Sequence, residues 1–101
     1  MRTMMRVKFP HAEFNAAARD GTIEQTMKRI LEEMKPEAVY FTDFCGQRGV
    51  IIVLDVASSL DIPRVAEPWF LKFNADVSFH VAMTPEDLGK SGLKALAQKW
   101  A

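Results

Sequence analysis

The chain has 101 residues, 49% of them hydrophobic, and its Lys+Arg and Asp+Glu counts are both 13, so its formal net charge is zero. That length is one domain, residues 1–101, with apolar side chains for one core but modest stability alone, so burial in an oligomer would help it. Balanced charge with no basic run argues against nucleic acid and an anionic membrane, which both reward clustered cations.

Residues 4–9 alternate, with Met5, Val7 and Phe9 on one face and Met4, Arg6 and Lys8 on the other. Period two with one apolar face predicts a half-buried strand, which Pro10 stops. Phe14, Ala17 and Ala18 have helical spacing, but Asp20-Gly21 interrupts it. A short helical turn or an ordered loop is expected over 14–20. Thr22 then caps a helix, with Gln25 placed for a capping box. Ile23, Met27, Ile30, Leu31 and Met34 form its apolar stripe. Glu24–Lys28 and Arg29–Glu33 are spaced to pair on its outside. Lys35-Pro36 ends it.

The stretch 39–56 organises the rest: two β-branched and aromatic runs, 38–45 and 49–56, joined by Gly46-Gln47-Arg48-Gly49. Two glycines in so short a linker suit a tight hairpin. Ser58, Ser59 and Asp61 offer caps for a helix with Pro63 in its first turn. Val65, Trp69 and either Leu71 or Phe73 give its apolar face. Pro68 should kink or split it. Residues 75–83 alternate again, a fourth strand. Thr84 and Pro85 then read as N-cap and first residue of a last helix, which Gly89 and Gly92 loosen. Leu93, Leu96, Ala97 and Trp100 resume a helical stripe.

The order β-α-β-β-α-β followed by a helical tail is the ferredoxin-like α+β pattern. It predicts an antiparallel sheet of order 4-1-3-2 with both helices on one face. Met5, Val7, Phe9, Val77, Phe79 and Val81 should meet the helices. Arg6, Lys8, Ser78 and His80 then lie on the open face, together with the hairpin parity holding Asp43, Asp55, Val39, Phe41, Ile51 and Val53. Antiparallel pairing of the first and fourth strands would bring His80 near Arg6, and Ser78 or Asp76 near Lys8. Parallel pairing of the first and third would bring Asp55 toward Lys8. Such a face is too apolar for water and too polar for a core, so a second copy of the sheet, related by a two-fold axis, is its simplest cover.

The layout is similar to that of the dimeric α/β-barrel superfamily. The segments 35–42 (KPEAVYFT), 61–70 (DIPRVAEPWF) and 83–88 (MTPEDL) resemble a family of small uncharacterised bacterial proteins within it. The resemblance covers about 9–100 and implies the fold and a homodimer. The superfamily includes cofactor-free monooxygenases, lactone isomerases, haem-dependent enzymes and ligand-sensing domains. None of their catalytic motifs carries over residue by residue, so the fold alone does not choose among them.

His80 is the leading candidate for chemistry, because a histidine facing the space between sheets can exchange protons near neutral pH. Its plainer reading is a hydrogen-bonded interior histidine. Asp43 and Asp55 would act as general base or orient His80. Their plainer reading is an ion pair with Lys8 or Arg6. Tyr40, Phe41 and Trp69 would wall a pocket, or serve as core and interface. Arg6, Lys8 and Ser78 complete the ligand-binding set. Cys45, the one cysteine, makes no intrachain disulfide and has no neighbouring helix N-terminus or base to activate it. Cys45 with the distant His11 and His80 gives no zinc spacing, so neither metal nor cofactor is expected. A haem ligated by His80 alone is a poorer reading. No secretory signal is visible and no run is long enough to cross a bilayer, so a soluble cytoplasmic protein is expected.

Two functions fit. In the first, a non-enzymatic homodimer binds a small, partly apolar molecule or a protein partner. In the second, a cofactor-independent monooxygenase or isomerase uses His80 as acid/base, Arg6 or Lys8 to hold an anionic oxygen, and Asp43 or Asp55 to orient the histidine.

Overall fold

The computed structural model describes residues 1–101, and its first strand, β1 (Arg2–Lys8), shows the alternation of the sequence as alternate burial. Thr3, Met5 and Val7 are buried, and Phe9 continues that face beyond the strand. Pro10 then occupies the N-cap position of α1 (His11–Asp20), a full ten-residue helix rather than the short turn or loop expected there. Ala12, Ala16, Ala17 and Ala18 supply helix propensity through the segment. The stop comes only at Gly21, whose φ of 80° closes the helix with its N–H on the Ala17 carbonyl.

The next helix, α2 (Ile23–Met34), follows at once and buries Met27, Ile30 and Met34. Its start differs from the expected capping box. Thr22 has helical dihedrals and makes no side-chain cap. Its hydroxyl and N–H donate instead to Asp20 Oδ1, at 2.7 and 2.9 Å. Arg29 pairs with Glu33 at 3.8 Å, whereas Lys28 turns to Glu32 at 4.0 Å rather than to Glu24.

The hairpin strands are β2 (Ala38–Phe44) and β3 (Gln47–Asp55). Their turn is two residues, Cys45 and Gly46, both left-handed at φ 53° and 82°. That is the primed turn whose twist matches the strands. Gln47, Arg48 and Gly49 therefore belong to β3. Gly49 is required for space, not for the turn: a Cβ there would collide with the Phe44 ring.

A single 3-10 turn (Ser59–Asp61) leads into α3 (Ile62–Phe73). This helix runs through Pro68 without splitting there, which corrects the expected split. Val65, Ala66, Trp69 and Phe73 are buried on both sides of the proline, so packing holds the two halves in one helix. Phe73, not Leu71, completes the apolar face. None of Ser58, Ser59 and Asp61 makes a side-chain cap. Asp61 instead receives a fork from Arg64 at 2.6 and 2.8 Å.

Strand β4 (Asp76–Val81) completes a four-stranded sheet in the order β2-β3-β1-β4, which reads 4-1-3-2 from the β4 edge. Every neighbouring pair is antiparallel. The expected parallel pairing of the first and third strands is thus corrected. The crossover through α1 and α2 makes β1 and β2 run the same way, and the hairpin reverses β3 against both. The core gathers Met5, Val7, Phe9, Val50, Ile52 and Leu54 of the sheet with buried residues of α2 and α3. Phe14 of α1 packs against this core. The other face of the sheet carries no helix.

Two short helices end the chain, α4 (Pro85–Gly89) and α5 (Leu93–Lys99). Thr84 and Asp87 form a reciprocal capping box at 3.0 and 3.2 Å. Every residue from 85 to 101 is exposed. The tail stretches the molecule to 58 × 28 × 20 Å, with a radius of gyration of 16.8 Å. A compact domain of this length has about 13 Å.

Candidate functional site

Cross-strand partners share a face, so the register defines the bare side of the sheet as three rows running from β2 to β4. The first is Ala38, Val53, Met4 and His80; the second is Tyr40, Ile51, Arg6 and Ser78; the third is Thr42, Gly49, Lys8 and Asp76. Each row changes character along its length. The β2–β3 half is mostly apolar or small. The β1–β4 half collects two cations, a hydroxyl, an imidazole and a carboxylate.

Arg6 lies with its guanidinium over the Phe44 ring, 4.5 Å from the centroid. Stacking leaves its N–H fork edge-on and available to a planar anion. Arg6, Lys8, Phe44, Cys45, Asp76 and Ser78 line a shallow depression of about 280 Å³. Beside it, Ser78 Oγ lies 3.4 Å from His80 Nε2, a long contact whose donor depends on the imidazole tautomer. Lys8 faces Asp76 as expected, while His80 faces Met4 rather than Arg6. Four of the anticipated residues, Arg6, Lys8, Ser78 and His80, therefore share one half of one face, with Tyr40 across from them.

The other anticipated residues do not join them. A two-residue turn pairs Phe44 with Gln47, so odd-numbered residues of β2 share a face with even-numbered residues of β3. Asp43, Phe41 and Val39 consequently lie on the helix side, and Asp43 and Asp55 lie on opposite faces. Asp43 accepts from the Gly46 N–H in the turn at 3.4 Å. Asp55 is on the open side but faces Arg2, not Lys8. It accepts from the N-terminal ammonium at 2.7 Å. No carboxylate orients His80. Trp69 is a core residue rather than a pocket wall, because α3 does not open at Pro68. It is fully buried, with ring centroids 5.8 Å from Phe9 and 6.1 Å from Phe73. Its indole N–H has no hydrogen-bond partner.

At one end of the open face Arg2 forks onto both Glu37 oxygens at 2.9 Å. The hydrogen bonds hold the Glu37 carboxyl below its usual range and raise Arg2 further. Asp61 is lowered in the same way by Arg64.

A larger groove of about 620 Å³, which sequence reasoning missed, runs between α2 and α3. Its walls come from the outer faces of two helices far apart in sequence, so no local pattern announces it. Three of its charged side chains already pair, Arg29 with Glu33 and Arg64 with Asp61. The open sheet face has the better claim, because Arg6 lies there beside Ser78 and makes no ion pair. No cluster of three or more His, Cys, Asp or Glu side chains is arranged to hold a metal, and no helix is long and apolar enough to cross a membrane. No family model and no curated protein matches the chain.

Proposed function

We propose that this is a ferredoxin-like domain of the dimeric α/β-barrel kind that binds a small, partly apolar anion between its open sheet face and that of a second copy. One observation carries the reading: the β2–β3 half of the bare face is mostly apolar or small, while the β1–β4 half gathers Arg6, Lys8, Ser78, His80 and Asp76. A bare apolar stripe favours a cover, and the N–H fork of Arg6 with the ammonium of Lys8 favours an anion. Cys45 is a free, exposed thiol, which suits a reducing, cytoplasmic setting. Native mass spectrometry of the protein as purified is expected to show a dimer. The anionic dye anilinonaphthalene sulfonate is the binding probe. Its affinity should fall about tenfold or more when Arg6 and Lys8 are both changed to Met, since a charged hydrogen bond is worth more than a neutral one. A chain that stays monomeric at all concentrations, or dye affinity that ignores both cations, overturns the reading.

A second reading, a cofactor-independent enzyme with His80 as acid/base, rests on the Ser78–His80 contact beside Arg6. Histidine and a hydroxyl at this spacing can pass a proton once a bound substrate tightens the contact. The binding reading expects His80→Ala to leave assembly and dye affinity nearly intact. Loss of a measurable turnover in that variant would transfer the weight to the enzyme.

A further inference from the structure

We infer that residues 85–101 form an arm that docks on the β2 edge of a second copy, with Leu93, Leu96 and Trp100 against the partner's Tyr40 and the partner's Phe41. The inference rests on the sheet-to-sheet dimer proposed above and adds its orientation and its closure.

The arm touches its own sheet through one ion pair, Arg2 to Asp87 at 3.4 Å, and its apolar side chains find no cover there. Leu88, Leu93, Leu96 and Trp100 are exposed, Trp100 at 77%. A seven-residue helix is not stable alone in water and owes its order to packing. The β2 edge is a second exposed apolar surface. Tyr40 and Phe41 point to opposite faces of that strand and are 66% and 58% exposed. An edge strand of this kind normally needs protection.

Charge chooses how two copies stack. A two-fold axis across the strands would lay β4 over β4 and bring Arg6 and Lys8 of both copies together. Even with Asp76 opposite each Lys8, that space would hold a net positive charge from both copies, which is repulsive when desolvated. An axis along the strands lays β4 over the partner's β2. Each cationic half then covers an apolar half. In that stacking the chain leaves β4 beside the partner's β2 edge, where the arm and the exposed β2 aromatics can meet. The arm carries Lys90, Lys94 and Lys99 and no acidic residue beyond Asp87. The hairpin end of β2 carries Asp43, which accepts from the Gly46 N–H and makes no ion pair with Arg48 across the hairpin.

Area supports the same occupant. Four strands of about six residues present a face of roughly 400 Å², about half of what a stable dimer buries per partner. Trp100 alone brings about 200 Å², and Leu93 and Leu96 with the β2 aromatics supply the remainder.

Zero-length carbodiimide cross-linking of a mixture of unlabelled and 15N-labelled full-length chain tests this. Isotopically mixed links from Lys94 or Lys99 to Asp43 are expected. Trp100→Ala should weaken the dimer about tenfold or more, as loss of a buried aromatic anchor does. Leu96→Asp serves as an independent second variant. A dimer with no such links, or one indifferent to both variants, overturns the arm and leaves the sheet-face reading standing. Links that survive while Val53→Asp leaves the dimer unchanged would keep the arm and remove the sheet-face closure. A monomer at all concentrations removes both.

Discussion

The two faces of the sheet share one backbone and differ in every second residue. On the helix side, Thr3, Met5 and Val7 of β1 are buried, and they meet Val50, Ile52 and Leu54 of β3. On the open side, Met4, Arg6 and Lys8 meet Val53, Ile51 and Gly49. Each side holds one arginine over a phenylalanine ring at 4.5 Å, Arg48 over Phe14 and Arg6 over Phe44. Arg48 also donates to Asn15 Oδ1 at 2.7 Å, so it clamps α1 onto the end of the sheet. Arg6 has the same stack without such a clamp. Arg48 has spent its polar capacity on structure; Arg6 still holds its own. That difference separates a face that makes the fold from a face available to a partner.

The comparison breaks first if the open face proves to be core. Trp69→Ala removes the largest buried side chain beneath the sheet and should cost about 3–5 kcal/mol, read as a lowered urea midpoint. Met4→Ala, half-buried on the other face, should cost the monomer well under half of that. Equal losses would mean that the open face is packed in solution. Next in size is Gly49→Ala, where the new methyl meets the Phe44 ring and the Val7 carbonyl. Overpacking of this kind costs about 1–3 kcal/mol. A neutral result would show that Phe44 swings clear, and Arg6 would lose its stacking platform with it. Smaller still is the contrast between the two arginines. Arg48→Ala should destabilise the monomer by about 1 kcal/mol through the lost stack and hydrogen bond. Arg6→Ala should cost about half as much and act mainly on ligand affinity. The reverse order would make Arg6 the structural residue.

Where pattern and packing agree, the sequence was readable. Period two in 4–9 and 75–83 led to β1 and β4, and the stripe from Ile23 to Met34 led to α2 with matching bounds. The misses share a physical cause: a local signal overruled by its surroundings. Pro68 carries a helix-breaking signal, yet burial of Trp69 and Phe73 keeps α3 whole. Thr22 and Gln25 spell a capping box, yet the hydroxyl prefers Asp20 two residues back. The site suffered most at the turn. Gly49 looked like a turn glycine, and the face of each β2 residue depends on loop length. Reading the turn as Cys45-Gly46 puts Asp43 and Asp55 on opposite sides. Arg6, Lys8, Ser78 and His80 were placed correctly because β1 and β4 depend on no turn.

The smallest expected effect is in acid, and it bears on which side of the sheet loosens first. Glu37 is held below its usual carboxylate range by hydrogen bonds from Arg2, and Asp61 by those from Arg64. A carboxyl lowered on folding lends stability that is fully present above its unfolded value. The reference values are 4.5 for Glu37 and 3.8 for Asp61. That stability is lost as pH falls through the lower folded-state value, because the unfolded chain takes up the proton first. Both groups are exposed, so screening keeps each contribution small. Stability should hold from neutral pH down to about 4.5 and then decline. Arg2–Glu37 ties β1 to the start of β2 at the end of the open face, whereas Asp61–Arg64 stays within the start of α3. Glu37→Gln should therefore flatten the upper part of the decline, and Asp61→Asn the lower part. Hydrogen exchange on β2 and on α3 reads the two apart. Because Glu37 has the higher reference value, β2 amides should open before those of α3 as pH falls, and the reverse order would make the helix side the weaker in acid.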